Sequence, residues 1–161
     1  MKIGFNKVAE PYGWMGNMYS CQIVDEEGRE WNHSEGLFQA MRFENPTIKE
    51  ELRNISNAII AKRKAKKTEY KDFMVVEPTS DWDVQNMKYV LWLKFSQHRQ
   101  LAEQLIGTGD AYLYEDVSSR QKRGGSTFFW GACYVNGVFT GQNVLGQLLM
   151  ELREKLKAAR I

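Results

Sequence analysis

The sequence predicts an α+β fold, predominantly helical, built as a single domain over residues 1–161 with a small β component. Three observations carry this. Two long segments, Val84 to Phe95 and Val144 to Leu156, repeat apolar residues at helical spacing. Strand-like stretches are few and do not alternate regularly with helices, as a doubly wound parallel sheet requires. At 161 residues and 43% apolar composition, the chain is long enough to bury one core without staples.

The elements follow in order. Met18 to Val24 has strand composition, Asp25-Glu26-Glu27-Gly28 is a turn, and Arg29-Glu30-Trp31 begins the return of a hairpin. Ser34 is the expected N-cap of a helix in which Leu37, Phe38, Met41 and Phe43 share a face. Pro46-Thr47-x-x-Glu50 reads as a capping box for a short helix carrying Ile48, Leu52 and Ile55. A basic helix comes next, with Ile59 and Ile60 as its apolar side. Glu77-Pro78-Thr79-Ser80-Asp81 breaks the pattern and caps a helix carrying Val84, Met87, Val90, Leu91 and Phe95. Leu101, Leu105 and Ile106 extend that theme until Gly107-Thr108-Gly109-Asp110 stops it. Ala111–Tyr114 and Phe128–Val135 are the remaining strands expected. A C-terminal helix closes the chain, striped by Val144, Leu145, Leu148, Leu149, Leu152 and Leu156.

Composition narrows the function classes. With 22 Lys and Arg against 20 Asp and Glu, the formal charge is +2, so no global field draws in nucleic acid or a membrane. Any such partner needs a local patch. No apolar run reaches the roughly 18–20 residues that cross a bilayer, and Met1 to Phe5 lacks the apolar core of a signal peptide. A cytoplasmic location is expected (the host cytoplasm, for a viral chain), with no membrane partner. Cys21 and Cys133 lie far apart, without a C-x-x-C spacing or His companions. They are expected to be small reduced core residues.

Glu35 stands in the first turn of its helix beside Trp31 and His33, and Gln39 lies one turn further on the same side. A carboxylate and an amide converging there can hold a water or a sugar hydroxyl. An acid at this position also complements the helix dipole, worth about 0.3–1 kcal/mol without any active site. On composition alone that is the commoner reason for it. His33 reads as a surface or cap-packing residue and His98 as structural; neither completes a triad with Ser or Cys.

Lys62-Arg63-Lys64-Ala65-Lys66-Lys67 is either a solvated helix face or an electrostatic footprint for phosphates. Arg120 to Thr127 adds a second basic, glycine-rich stretch, read as a mobile loop that is a lid or an insertion. Trp130-Gly131 is a stacking wall for a base or a buried tryptophan. Gly141-Gln142-Asn143-Val144-Leu145-Gly146 opens the last helix, whose first N–H groups can bind an anion. The same pattern equally describes a turn followed by close helix packing. A dinucleotide fingerprint fails for want of a following strand and a ribose-binding acid.

Taken in order, several blocks share one pattern. They are Gly16-Asn17-Met18, Trp31-x-x-Ser34-Glu35-x-x-Phe38-Gln39-Ala40-x-x-Phe43 and Ala61-Lys62. Then come Lys94-Phe95-x-Gln97, Leu105-Ile106-x-Thr108-Gly109, Leu113-x-Glu115 and Trp130-Gly131. Gly141-x-Asn143-x-Leu145-Gly146-x-Leu148-Leu149-Met150-x-Leu152-Arg153 completes the series. This pattern resembles the NADAR superfamily of YbiA-like proteins, in register from about residue 12 to residue 156. The resemblance implies a compact, mostly helical α+β YbiA-like fold and hydrolysis of an N-glycosidic bond. Some members are associated with ribosylated pyrimidine intermediates of riboflavin synthesis, and others remove ADP-ribose from modified guanine in nucleic acid.

Carried over residue by residue, the resemblance makes Glu35 the catalytic glutamate. It places Asn17, Gln39, Lys62, Glu115, Trp130, Gly131, Asn143 and Gly146 around a sugar–phosphate pocket. Two departures stand out. Gly36-Leu37 replaces a frequent His-Tyr, and Thr127 replaces an Asp three residues before Trp-Gly, with a longer interval from Glu115 to Trp130. Either the insertion shifts Asp116 into that acid's role, or the role is absent.

The expected reaction passes through a ribosyl cation-like transition state. Glu35 activates water and Asp116 or Glu115 assists the departing base. Lys62 and the N–H groups near Asn143-Gly146 hold phosphate, while Trp130 stacks on the base. The expected partners are an ADP-ribose-type or ribosyl-phosphate substrate and ADP-ribosylated DNA or RNA; no metal or cofactor is expected. The competing class is a non-catalytic module binding ADP-ribose or nucleic acid, for which Thr127 is the best support.

Overall fold

The structure is a computed structural model and describes residues 1–121 and 124–160. Lys122 and Arg123, within the second basic stretch, lie outside the described residues. The fold is α+β and mostly helical, with three two-stranded sheets among the described residues. The chain divides into two compact units, one formed by Asn17–Gln97 and the other by Met1–Gly16 with His98–Ile161.

The unit over Asn17–Gln97 opens with an antiparallel hairpin, β1 (Ser20–Val24) and β2 (Glu30–His33). Its turn is tied by Asp25, whose Oδ1 accepts from the backbone N–H groups of Glu27 and Arg29 and whose Oδ2 accepts from Trp31 Nε1 at 3.0 Å. Gly28 supplies the positive φ of 80° that closes the turn. Four helices follow: α1 (Ser34–Ala40), α2 (Pro46–Arg53), α3 (Ala58–Ala65) and the short α4 (Thr68–Lys71). The long α5 (Asp81–Gln97) completes the unit, and α1 packs against α2, α3 and α5.

Several expectations need correction here. His33, not Ser34, is the N-cap of α1. The α2 cap is Asn45, whose Oδ1 accepts from Thr47 and Ile48 N–H at 3.0 and 3.1 Å, so Pro46 takes the first helical position and no capping box forms on Thr47. Ile48 and Leu52 are buried, while Ile55 lies past the helix end and only half-buried. On α3 the buried face is Ala58, Ala61 and Ala65; Ile59 and Ile60 are 50% and 53% exposed. Small side chains let α3 approach α1 closely, and that geometry overrides the hydrophobicity of the two isoleucines.

In α5, Met87, Val90, Leu91 and Phe95 are buried as the spacing predicts, and Val84 is half-buried. Lys94 is fully buried as well, its Nζ 5.4 Å from the Tyr19 ring centroid and 5.3 Å from that of Phe95. Burial pushes its pKa down to about 8, with the nearby Cys21 opposing. Between about pH 8 and its ordinary 10.5 the unfolded chain therefore binds the extra proton, and stability rises with pH across that window. Urea midpoints measured from pH 7.5 to 10 should climb for the wild type relative to Lys94→Met; parallel curves would contradict this.

The second unit pairs β3 (Lys2–Phe5) with β4 (Tyr112–Glu115) in parallel, Ile3 opposite Leu113 and Phe5 opposite Glu115. The remaining elements are α6 (Arg99–Gly107), α7 (Ser126–Trp130), the hairpin β5 (Cys133–Val135) with β6 (Val138–Thr140), and α8 (Val144–Ala159). Here the predicted strand over 128–135 is corrected: Phe128–Trp130 is helical and the strand itself is confined to Cys133–Val135. Buried Leu145, Leu148, Leu149 and Leu152 form the face by which α8 packs on β4 and α6, with Val144 and Leu156 half-buried at the edges. Both cysteines are free; Cys133 is buried and Cys21 half-buried, its thiol pKa raised by burial against the pull of Lys94. No helix among the described residues is long and apolar enough to cross a membrane.

Candidate functional site

Glu35 is placed by the way its helix starts. His33 is extended and buried; its Nδ1 accepts from Gly36 N–H at 2.9 Å, and its Nε2 lies 3.2 Å from the carbonyl of Ile55. Since Nδ1 accepts, the proton sits on Nε2 and is donated to Ile55, so the ring is neutral and fully used. This explains the glycine after Glu35. A Cβ at position 36 would lie 2.8 Å from His33 Cε1, so the side-chain cap and Gly36 require each other.

Burial lowers the His33 pKa from 6.5. The unfolded chain then binds the proton more readily, and the stability contribution, complete above about pH 6.5, is lost as pH falls. Melting temperatures should drop between pH 7.5 and 5 more steeply for the wild type than for His33→Asn, which keeps a capping acceptor without titrating. Equal slopes would contradict the neutral-cap assignment.

Asn17 secures the same turn. Its carbonyl accepts from Glu35 N–H at 3.1 Å, its Oδ1 accepts from Ser34 Oγ at 2.8 Å, and its Nδ2 faces Met87 Sδ at 3.1 Å. The Asn17 amide is thus occupied in holding α1 to α5. With Glu35 and Gly36 N–H already bonded, the start of α1 is closed by the protein itself.

From there a chain of buried polar groups runs inward. Gln39 Nε2 donates to Glu35 Oε1 at 2.8 Å, confirming the neighbouring positions predicted by their spacing. Gln39 Oε1 accepts from Arg42 Nη1 at 3.1 Å. Arg42 then grips Asp83 with both Nε and Nη2, at 2.9 and 2.8 Å. Asp83 also accepts Thr79 N–H at 2.9 Å. Glu35, Gln39, Arg42 and Asp83 are 6%, 3%, 6% and 0% exposed. Glu35 Oε2 has no hydrogen bond among the described residues. It is nonetheless not sealed: among all the described residues, the enclosed side-chain atoms without a hydrogen bond are Asn86 Nδ2 and Arg153 Nε. One oxygen of Glu35 is therefore fixed and the other is open to a water.

Lys62 is half-buried on α3, the helix packed against α1, and carries no hydrogen bond or ion pair among the described residues. Its neighbours Arg63, Lys66 and Lys67 are exposed. Asn17, Glu35, Gln39 and Lys62 thus fall in one unit. Sequence reasoning missed Arg42 and Asp83; the recurrence of polar residues at 35, 39 and 42 was the available signal for the former.

The other predicted residues belong to the second unit, where Glu115, Gly131, Asn143 and Gly146 converge. Asn143, fully buried and left-handed at φ 54°, precedes α8. Its Oδ1 accepts Glu115 N–H at 3.1 Å, and its Nδ2 donates to Leu113 O at 2.9 Å and Tyr112 Oη at 3.2 Å. A Cβ on Gly146 would lie 2.2 Å from Leu113 O, and one on Gly131 would lie 2.8 Å from Glu115 O. These residues lock α8 to β4, which realises the close-packing reading of the glycine pattern.

Glu115 Oε2 lies 3.7 Å from Arg120 Nη2. Asp116 Oδ1 accepts Ser118 N–H at 3.0 Å and so shapes its own turn. Trp130 ends α7, edge-on to Phe129 with centroids 4.9 Å apart. Thr127 lies in the same helix, its carbonyl accepting Gly131 N–H at 3.0 Å. Among the described residues, no cluster of three or more His, Cys, Asp or Glu side chains is arranged to hold a metal ion.

Comparison with known proteins covers both units. The family model for the NADAR domain matches residues 4–157. The chain is 32% identical over 157 residues to an Escherichia coli protein named N-glycosidase YbiA, covering 96% of this chain and 88% of that one. It is 29% identical over 165 residues to an N-glycosidase of Nostoc punctiforme, covering 98% and 94%. A riboflavin biosynthesis protein of Vibrio vulnificus is 32% identical over 158 residues, 96% of this chain but 38% of that longer protein. The NMR structure of Escherichia coli YbiA superposes with a TM-score of 0.79 at 29% identity, covering 99% of this chain and 89% of that one.

Proposed function

The chain belongs to the NADAR domain family, and from that premise we propose that it is a hydrolase cleaving the N-glycosidic bond between a ribosyl or ADP-ribosyl group and a nucleobase. The observation that carries this reading is the asymmetry of Glu35, one oxygen held by Gln39 and the other open to solvent within a buried polar surround. Such a carboxylate is oriented for one task. Glu35 Oε2 takes a proton from water as the water oxygen bonds to the anomeric carbon. The C–N bond breaks, its electron pair leaves with the base, and the base nitrogen is protonated. Positive charge developing on the ribose is stabilised by the same carboxylate. The proton for the base nitrogen comes from water.

Lys62 and the basic face of α3 favour a substrate carrying phosphates. ADP-ribosylated guanine in DNA or RNA meets that description, as does a ribosylaminopyrimidine phosphate; the naming of the Vibrio vulnificus relative supports the latter. Mass spectrometry of products from both substrates tests the proposal. Release of ADP-ribose, or of ribose phosphate, supports it and identifies the substrate class. Tight binding of ADP-ribose or an oligonucleotide without product, weakening steeply with salt, would overturn it in favour of a binding module, the reading that Thr127 supports.

A further inference from the structure

We propose that Arg42 and Asp83 are positioning residues for the reaction, fixing which way the Gln39 amide faces and thereby holding Glu35 in its working orientation. This inference rests on the reading of Glu35 given above. The donors and acceptors around Gln39 admit one arrangement. A guanidinium has donors and no acceptor, so the Gln39 atom 3.1 Å from Arg42 Nη1 must be the amide oxygen. Only Nε2 is then left to face Glu35, and it donates to Oε1 at 2.8 Å.

Without Arg42 the Gln39 oxygen loses its fixed donor and the amide is tethered only by its bond to Glu35 Oε1, so the two side chains can shift together and the carboxylate leaves its working orientation. Arg42 is itself held against such motion. Its Nε and Nη2 engage both Asp83 oxygens at 2.9 and 2.8 Å, a fork geometry that sets the guanidinium plane and aims Nη1 at Gln39. Asp83 lies on α5 and is anchored by Thr79 N–H, so α5 transmits its position through three side chains to Glu35. Every member of the chain is at least nine-tenths buried, which keeps competing water out of these bonds.

The test is a double-mutant cycle with Gln39. Removing one charge alone would strand the other in the interior and threaten folding. Arg42→Met is therefore combined with Asp83→Asn, which retains an acceptor for Thr79 N–H. In the wild-type background this pair should lower kcat about 10- to 100-fold with KM changed less than threefold. In a Gln39→Met background the same pair should change kcat less than threefold, because the amide it orients is gone. Wild-type kcat in Arg42→Met/Asp83→Asn, or equal losses in both backgrounds, would overturn the inference.

Hydrogen exchange of the Gln39 side-chain amide, followed by NMR, reads the relay without turnover. It should be at least 10-fold faster in the double variant, or in Arg42→Lys if the double variant does not fold. Unchanged exchange would also overturn the inference. If the wild-type protein cleaves neither substrate, the proposed reaction fails while the exchange measurement still decides the relay.

Discussion

Glu35→Gln should lose about 10²- to 10⁴-fold in kcat, the range spanned by a general base, while its thermal midpoint stays within a few degrees of wild type. The reason lies in the neighbour. Gln39 Nε2 is directed at position 35 by the bond its oxygen takes from Arg42. A glutamine at 35 can present its own amide oxygen to that donor at the same distance, so helix α1 and the buried chain behind it are preserved. What it cannot do is take a proton from water or offset charge on the ribose. Substrate affinity should accordingly be retained, and direct binding to Glu35→Gln should match wild type within about threefold in Kd. Unchanged kcat would remove Glu35 from the reaction. A collapse in thermal stability would instead assign it a structural duty.

The largest effect on stability is expected at Asn143. Asn143→Leu leaves Glu115 N–H and Leu113 O without their partner. Burying a backbone group unpaired costs about 1–3 kcal/mol each. Leucine must also adopt a left-handed backbone, φ 54°, at a further cost of about 1–2 kcal/mol. A loss of about 3–8 kcal/mol follows, read as a lower urea midpoint with an unchanged slope. Asn143→Asp keeps the acceptor for Glu115 N–H and should fall between the two. A loss below about 1 kcal/mol for Asn143→Leu would show that the α8–β4 lock is not carried by this side chain.

Where local pattern and packing agreed, the sequence was readable. The hairpin of residues 20–33 follows from its turn residues, and the α8 stripe from Leu145 to Leu152 is buried as its period implies. Glu35 and Gln39 meet because residues four apart on a helix are neighbours. Errors arose where tertiary context decided. Phe128–Trp130 has strand composition yet turns helical, since β propensity reports packing opportunity more than a backbone preference. Ile59 and Ile60 face outward because α1 needs the small face of α3, Ala58, Ala61 and Ala65. His33 escaped notice as a cap because an imidazole nitrogen replaces the usual hydroxyl or carboxylate. The Arg42–Asp83 pair spans 41 residues and has no local signature, so only the folded chain brings it into view.

Chemical rescue tests the central claim, that the Glu35 carboxylate activates water at an anomeric carbon, most directly. Glu35→Ala would be incubated with the cleaved substrate in the presence and absence of azide, and its products resolved by mass spectrometry. Azide needs no base to attack a ribosyl cation, so hydrolysis should be negligible without it and a ribosyl azide should form with it. Hydrolysis by Glu35→Ala at the wild-type rate, with water as the acceptor and no gain from azide, would contradict that claim.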